Sequence, residues 1–484
     1  MSQRVLYLVA NGLVRPDEIL GLTFTRKAAG ELASRMRLRL RQLRAAGGLP
    51  VDPKTGQLLD INVNVSTYNS YAARVLGEHG LRLGLDNDTP TLGEAAAYQI
   101  AANIVENYAP ENGANFKRRA GQIISRVLRL SADIAEHGTS VDAVAEYTTM
   151  VLEQYRSLTG KSYVAVPAAI EVLEERLAIL PLVREFDQYR LDNSSLMFSD
   201  QLAQAARLVE KYPEIGESER FKYKVVILDE YQDTSYSQVR LLSTLFGAGH
   251  PVTAVGDPNQ AIYGWRSASA QTLDAFPVDF ASNSPVPCQK FTLLTTWRND
   301  AKILSLANRV IDEIAVQARL TDSVIAVDRL ELRPDFADGF LEVSQHATAS
   351  DEAEAIADFF EPLWKEHEGR KTCAVLVRNR KQIGDIEEVL RRRGLPVEVV
   401  GLGGLIHLPE IEDIVALLRT LVMPDAGSAL MRLISGPRMN VGAKDIAALG
   451  HLTRWLFEKD RGEGVRTLKS SLSLIHISEP TRPY

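Results

Sequence analysis

The sequence has 484 residues, of which 45% are hydrophobic and 24% are charged, and this ordinary globular composition argues against a disordered or fibrous protein. A net charge of -7 argues against a uniformly basic nucleic-acid coat but permits a local basic groove. Cys288 and Cys373 are too few for a disulfide scaffold or a four-cysteine zinc site, and no apolar stretch reaches membrane-spanning length. From its length we expect the chain to form two to four domains. From its few cysteines we expect the protein to reside in the reducing cytoplasm.

In chain order, strand-like apolar runs occur at ILGLTF, VVILDE, PVTAVGD, FTLLTT and CAVLVRN, with helical periodicity between them. This alternation is the α/β pattern. Residues 74–195 differ because they are rich in Ala, Leu, Glu and Arg, and they predict an all-helical insertion. A second α/β unit is predicted near Pro287, in which CAVLVRN precedes an amphipathic helix and VEVVGLGGL returns as a strand.

Two adjacent carboxylates, Asp229 and Glu230, follow the apolar run VVIL. Ligands of a parallel sheet bind beyond the carboxyl ends of its strands, so this position indicates a phosphate site. With a nucleotide present, Asp229 would hold Mg²⁺ and Glu230 would accept a proton from the attacking water. An acidic helix cap after a buried strand is the alternative, and a bare DE pair by itself favours it.

The following run, VTAVGDPNQAIYGWRSA, places Gln260 after a strand and brings Tyr263, Trp265 and Arg266 close together. Two aromatic rings can stack on bases while a nearby guanidinium contacts the nucleic-acid backbone, an arrangement that suits single-stranded nucleic acid. Alternatively, the two aromatic side chains fill a core. Together with the acidic pair, the stacking arrangement favours a nucleotide site over a helix cap.

With these motifs the sequence resembles the superfamily 1A DNA helicases of the UvrD/Rep type over nearly its whole length. DEYQDT resembles their motif II, GDPNQAIYGWR motif III, LTTWRN motif IV, and LGLTFTRKAAGELASRM motif Ia. The resemblance implies an α/β fold of RecA-like P-loop NTPase motor lobes with helical insertions. It also implies ATP and Mg²⁺ as cofactors and single-stranded and duplex DNA as partners.

The same resemblance assigns roles to individual residues. Asp229 would bind Mg²⁺, Glu230 would activate water and Gln260 would sense the γ-phosphate. Arg298 would act as an arginine finger, with a surface salt bridge as the alternative, and Trp297 would stack on adenine. The implied DNA track consists of Phe24, Thr25, Arg26, Thr67, Tyr68, Tyr263, Trp265 and Arg266.

The segment after motif Ia is a predicted helix rich in arginine. Its members could attract phosphates, or they could form a solvated basic face. These residues are Arg35, Arg37, Arg39, Arg41 and Arg44.

Longer strings, VTAVGDPNQAIYGWRSASAQTL and VVGLGGLIHLPEIEDIVALLR, most resemble the AdnB subunit of the AdnAB helicase-nuclease. This resemblance implies a second, AdnA-like subunit and a task in DNA end resection or repair. Many relatives have Arg in the region of Pro409, so the resemblance does not assign the usual contacts of that loop to this sequence.

The P-loop pattern GxxxxGK[ST] is not matched, because LTGKSY has Tyr155 where the first Gly belongs. We interpret Gly160, Lys161 and Ser162 as a decoy. The resemblance places a P-loop just before RVLYLVANGL, so we expect the chain to start after it. LSLIHISEPTR resembles a translated sequencing adapter, so we expect the native frame to stop near Ser471. Motifs V and VI are also unmatched, and we expect such a fragment neither to hydrolyse ATP appreciably nor to unwind DNA.

The predicted domains are a lobe 1A of residues 1–73 and 196–286, a helical insertion 1B of residues 74–195, a partial lobe 2A of residues 287–428, the start of a helical 2B at 429–471, and a non-native tail at 472–484. ATP would sit between the lobes, and its binding and hydrolysis would drive 3'-5' movement. An inactive remnant that binds DNA or a partner subunit is the second hypothesis. A nucleotide switch without DNA contact is a third.

Overall fold

A computed structural model of the chain divides into two compact units, Met1–Leu341 and Glu342–Tyr484. The predicted start of a second α/β unit near Pro287 lies within the first of them. The structure describes residues 1–51, 55–85, 91–108, 116, 119–157, 165–193, 195–197, 200–247, 249–264, 268, 271–281, 287–321, 328–366, 370, 372–400, 409–423 and 426–462.

The first unit contains a parallel sheet of four strands in the order β2-β1-β5-β6. Two further pairs, β3 with β4 and β7 with β8, are also parallel. The strands are β1 (Ile19–Thr23), β2 (Asn64–Thr67), β3 (Thr91–Leu92), β4 (Leu196–Met197), β5 (Val225–Leu228), β6 (Val252–Ala254), β7 (Thr295–Thr296) and β8 (Glu331–Leu332).

Helices make up most of the remaining described structure. In the first unit they are α1 (Ser2–Ala10), α2 (Arg26–Ala45), α3 (Tyr68–His79), α4 (Glu94–Asn107), α5 (Ala120–Glu136), α6 (Val141–Ser157), α7 (Ala165–Asp192), α8 (Asp200–Lys211), α9 (Pro213–Lys222), α10 (Tyr236–Phe246), α11 (Thr272–Ala281) and α12 (Ala301–Thr321). In the second unit they are α13 (Ala349–Glu366), α14 (Ile383–Arg392), α15 (Pro409–Val422), α16 (Gly427–Ser435) and α17 (Ala443–Gly462).

Helices cover both faces of the two central strands, β1 and β5, which explains why both strands are fully buried and largely apolar. Side chains alternate along a strand, so Val226 and Leu228 of β5 join a core with α3, α8 and α10. Val225 and Ile227 point the other way, into a core with α1 and α2. A parallel sheet that is buried on both faces reads as branched aliphatics, and this arrangement confirms the predicted α/β class.

Among its described residues, the segment predicted to be helical, 74–195, contains the end of α3, the helices α4 to α7 and the short strand β3. These helices have a core of their own, to which α5 contributes Ile123, Ile124, Val127 and Ile134. The spacing of three and four residues within that set places them on one face of a helix. The Ala- and Leu-rich composition is therefore sufficient to account for the helical structure of this segment.

In the second unit, α13 and α14 pack around Ala353, Ala357 and Leu390, and the predicted amphipathic helix after CAVLVRN is confirmed as α14. The predicted strand in CAVLVRN is wrong, because the described residues 372–379 form no strand and Leu376 is 95% exposed. VEVV at 397–400 likewise forms no strand, and the following GLGGL lies outside the described residues. A strand is stable only when a neighbour pairs with it, and the described part of this unit contains no partner strand.

FTLLTT forms a strand only at Thr295–Thr296. None of the described helices is both long enough and apolar enough to cross a bilayer.

Candidate functional site

The acidic pair lies where β5 ends and is held from both sides by backbone hydrogen bonds. The amide of Asp229 donates to the carbonyl of Leu22 on β1 (2.8 Å), and the amide of Tyr231 donates to the carbonyl of Val255 after β6 (3.0 Å). Between them, Glu230 has a left-handed backbone with φ 50°. Such a conformation is costly for a residue with a side chain and is maintained only where neighbouring contacts impose it.

A chain of side-chain hydrogen bonds joins Glu230 to Gln260. Gln232, which is 1% exposed, donates from Nε2 to the Glu230 carboxylate (2.8 Å) and accepts at Oε1 from the amide of Asp257 (3.1 Å). Gln260 in turn donates from Nε2 to the Asp257 carboxylate (2.8 Å). The structure therefore connects the predicted water-activating residue with the predicted γ-phosphate sensor.

Gln232 and Asp257 were missed as functional candidates, although both lie inside the two motif strings. A buried polar side chain needs hydrogen-bond partners, and Gln232 is buried, but its sequence neighbours in DEYQDT are themselves polar. The sequence therefore gives no signal of that burial. Gly256 makes the bond to Asp257 possible, because a Cβ at this position would lie 2.5 Å from Oε1 of Gln232.

Negative charge is concentrated at this edge of the sheet. Burial raises the pKa of Asp229, and the adjacent Glu230 carboxylate raises it further. Burial followed by Glu230 also raises the pKa of Asp233. A cation would relieve this repulsion, so the electrostatics suit a metal-nucleotide ligand.

The oxygen atoms at this edge fit Mg²⁺. Thr23 follows Leu22, which pairs with Leu228, so Thr23 lies beside Asp229; its buried Oγ1 finds no hydrogen-bond partner among the described residues. No group of three or more His, Cys, Asp or Glu in the described part of the chain could hold a metal. Mg²⁺ is commonly bound through one or two carboxylates, with water and phosphate as the other ligands. Asp229 would supply the carboxylate, and the Thr23 hydroxyl would be a further oxygen beside it.

Two residues of the predicted DNA track meet at the same edge. Phe24 follows β1 and Tyr263 follows β6, and their ring centroids lie 4.5 Å apart with an interplanar angle of 39°. Thr25 caps α2 by accepting a hydrogen bond from the amide of Ala28 (3.0 Å), and the side chain of Arg26 is exposed. Trp265 and Arg266 lie outside the described residues.

Two family models match this chain. The UvrD/REP helicase N-terminal domain matches residues 1–281, and the UvrD-like helicase C-terminal domain matches residues 291–460. The chain belongs to the UvrD/REP helicase family. Together with the parallel sheet and its helices, this confirms the RecA-like motor fold expected from the motifs.

Curated relatives agree with the family assignment. The chain is 26% identical to the ATP-dependent DNA helicase PcrA of Bacillus subtilis, with 92% of this chain and 52% of the relative covered. It is 26% identical to UvrD1 of Mycobacterium tuberculosis (91% and 51% covered) and 25% identical to DNA helicase II of Rickettsia typhi (95% and 61% covered). The chain thus spans about half the length of the first two relatives and somewhat more of the third.

Thr67 and Tyr68, also predicted for the DNA track of this UvrD-family chain, are buried at the start of α3. Thr67 caps the helix by accepting from the amide of Ser70 (3.1 Å). Tyr68 is 2% exposed, and its hydroxyl donates to the carbonyl of Asp229 (2.7 Å). Burial, followed by Tyr231 and Asp229, raises the pKa of Tyr68, which keeps the hydroxyl protonated as a donor.

The Tyr68 ring consequently has no solvent-facing surface on which a base could stack. A signal for this burial was present in the sequence, because Tyr68, Tyr71, Ala72, Val75 and Leu76 have the three-and-four spacing of a buried helix face.

Trp297 and Arg298 follow β7, and both side chains are exposed, Trp297 by 71%. Within the part of the chain that the structure describes, neither forms a hydrogen bond with the acidic residues. Arg298 also forms no ion pair there, so the alternative of a surface salt bridge is not observed. Their assignment to the nucleotide stays a prediction.

The remaining candidates can be located as follows. Pro409 is the exposed first residue of α15. Gly160, Lys161 and Ser162 of the P-loop decoy, and the tail at 472–484, lie outside the described residues.

Proposed function

We propose that the protein is an ATP-dependent DNA helicase or translocase that moves 3'-5' along single-stranded DNA. The observation that carries the proposal is the contact between Phe24 and Tyr263 (4.5 Å) at the sheet edge that also holds Asp229 and Glu230. A stacking surface for bases and an acidic site for a metal-nucleotide therefore lie at the ends of adjacent strands, β1 and β5.

For the nucleotide, the proposal gives each residue one task. Asp229, with Thr23 beside it, would hold Mg²⁺, which neutralises charge on the phosphate oxygens when it is bound. Glu230 would accept the proton of the attacking water, with its carboxylate oriented by the hydrogen bond from Gln232 (2.8 Å). Gln260 would contact the γ-phosphate and transmit its presence through Asp257.

Arg298 would supply positive charge to the transferring phosphoryl group, as arginine fingers do. Trp297 would stack on adenine, for which its exposed ring is suited.

For DNA, we propose base stacking on Phe24, Tyr263 and Trp265, with Arg26 and Arg266 on phosphates. Thr25, Thr67 and Tyr68 would position this track. The proposal gives Thr67 and Tyr68 a supporting role because their side chains are buried.

Measuring the affinity of the chain for fluorescent oligothymidine tests the proposal. Stacking on an aromatic side chain contributes about 1–3 kcal/mol, so Phe24→Ala or Tyr263→Ala should weaken binding by about 5- to 150-fold. Phe221→Ala is the matched control, because Phe221 is an 80% exposed ring on α9, outside the proposed track. Equal losses in all three variants, or unchanged binding in all of them, would contradict the track.

A second candidate function is DNA or subunit binding without motor action. An ATPase assay with and without DNA separates the two. DNA-stimulated hydrolysis that Glu230→Gln abolishes supports the motor, and DNA binding without hydrolysis supports the second candidate.

We further propose a cytoplasmic, AdnB-like role in DNA repair or end resection, with an AdnA-like subunit as partner. Support for this finer assignment comes from the motif strings alone. Isolating the protein from its source cells with a co-purifying helicase-nuclease subunit would support it, and isolation as a lone polypeptide with full activity would refute it.

A further inference from the structure

The arginines of α2 fall into two groups that the sequence alone does not separate. With 3.6 residues per turn, Arg35 and Arg39 lie on one flank of the buried face formed by Leu32, Met36 and Leu40. Arg37, Arg41 and Arg44 lie on the other flank. Arg26, the first residue of the helix, shares the flank of this second group.

Among the described residues, only the first flank has side-chain partners. Arg35 pairs with Glu31 (3.2 Å), the single acidic residue of α2, and Arg39 donates to Gln42 (3.0 Å). Arg37, Arg41 and Arg44 are exposed and form no ion pair with any described residue. Exposed arginines elsewhere in this unit do find acids, as Arg156 does with Glu174 (2.5 Å).

Helix stability does not explain the second flank. Arg37 and Arg41 are four residues apart and Arg41 and Arg44 three apart, and like charges at these spacings repel each other on a helix. Arg44 lies in the last turn, where the helix dipole favours a cation, but that explanation does not extend to Arg37. An external anion would compensate the repulsion.

The flank is also continuous with the proposed DNA track. Gly30 lies between Arg26 and Arg37 on this side, and a Cβ at Gly30 would meet nothing within 4 Å. The flank is therefore open at Gly30, and with Arg37, Arg41 and Arg44 exposed it offers charge over the distance from Arg26 to Arg44, about 27 Å at 1.5 Å per residue. Evenly spaced anions along such a path are a property of a phosphodiester backbone.

We propose that Arg37, Arg41 and Arg44 form a phosphate-binding stripe that extends the DNA track along α2. This inference rests on the proposed DNA-binding function and adds a second contact region to it. Either a single strand or a duplex could supply the phosphates, because the stripe contacts charge and not base edges.

Two double variants on the same helix test the stripe. Arg37→Gln/Arg41→Gln removes two unpaired arginines four residues apart, and Arg35→Gln/Arg39→Gln removes two partnered ones at the same spacing. Gln is a good helix former, so both variants should retain the circular dichroism and melting temperature of the parent chain. Each changes the net charge equally.

Affinity is measured between about 0.05 and 0.2 M salt for oligothymidines of about 6 and about 20 nucleotides and for a duplex of about 20 base pairs. Two lost phosphate contacts lower the salt slope by about 1.4 on a single strand or about 1.8 on a duplex, and weaken single-strand binding by about 25-fold at 0.1 M salt. We expect this loss for Arg37→Gln/Arg41→Gln on a long DNA only. The DNA that shows the loss identifies the source of the phosphates.

Three results would overturn the stripe. Equal losses in the two double variants would indicate general electrostatic attraction. No loss in either, while Phe24→Ala still weakens binding, would leave the DNA track intact and remove the stripe. Absence of DNA binding by the parent chain would refute the stripe and the proposed DNA-binding function together.

Discussion

Replacing Glu219 by Gln should loosen α3, the helix that places Tyr68 under the acidic loop. Glu219 lies on α9 and its side chain is 4% exposed. Its carboxylate accepts hydrogen bonds from the Tyr71 hydroxyl (2.6 Å) and from the Arg74 guanidinium (2.7 Å). Both donors belong to α3, so this one carboxylate attaches two successive turns of α3 to α9.

The expected cost follows from these contacts. A buried hydrogen bond to a charged group contributes about 1.5–3 kcal/mol, and Gln keeps an acceptor for Tyr71 but loses the charge that faces Arg74. Complete isolation of a buried charge would cost about 3–5 kcal/mol. Arg74 avoids that larger penalty because it also pairs with Glu78 (2.8 Å). We therefore expect Glu219→Gln to cost about 2 kcal/mol.

Hydrogen exchange of the α3 amides measures this cost locally, which matters because a chain of two units need not unfold in one step. A loss of about 1.5–3 kcal/mol should accelerate exchange in α3 by about 10- to 150-fold, with the amides of α5 unchanged. Glu78→Gln is the matched control. It removes the second carboxylate that pairs with Arg74. The Glu78 side chain is 46% exposed, and a surface pair of this kind contributes about 0.5 kcal/mol or less. Equal acceleration in the two variants would refute the argument that burial makes Glu219 the stronger attachment.

Two more predictions concern the acidic site. Burial and Glu230 raise the pKa of Asp229 in the folded state, so the ionised carboxylate destabilises the fold. Asp229→Asn should therefore raise the melting temperature near about pH 7. This gain should shrink as the pH falls through the raised pKa toward about pH 4, because the wild-type carboxyl is then protonated and neutral as well. A constant gain at every pH would contradict this. Gly256→Ala should displace Gln232, because the new Cβ would lie 2.5 Å from its Oε1, and should lower the free energy of unfolding by about 1–3 kcal/mol. Gly30→Ala, in open space on α2, should raise the free energy of unfolding by about 0.5–1 kcal/mol. If thermal melts showed the melting temperature moving in the same direction in both variants, the predicted contrast between Gly256→Ala and Gly30→Ala would be refuted.

The central sheet was predictable because its strands carry the signal themselves. ILGLT and VVIL are buried on both faces, and both are accordingly rich in aliphatic residues. The rule for the carboxyl ends of parallel strands then places Asp229 and Glu230 correctly after β5. CAVLVRN has the same local character but forms no strand among the described residues. Strand pairing is a non-local property, and a single run does not state whether a neighbour is present.

Side-chain roles within the site were less predictable, because burial decides them. A motif assigns Tyr68 to the DNA track, whereas the periodicity of α3 places it on the buried face, and the structure follows the periodicity. Gln232 was missed for a related reason: its two partners, Glu230 and the amide of Asp257, come from different strand ends. Their proximity depends on the β5–β6 register, which no local pattern specifies.

These two buried residues, Tyr68 and Gln232, connect the halves of the proposed function. A phosphate or metal that shifts the backbone of Asp229 must also move the Tyr68 hydroxyl or break its hydrogen bond (2.7 Å). A shift of Glu230 is passed through Gln232 and Asp257 to Gln260, three residues before Tyr263, whose ring contacts Phe24. If Asp229 and Glu230 bind the metal-nucleotide as proposed, the two proposed sites are joined within one unit by the hydrogen bonds from Glu230 to Gln260, the backbone from Gln260 to Tyr263, and the ring contact of Tyr263 with Phe24. A packed path of this kind can carry energetic coupling between two sites.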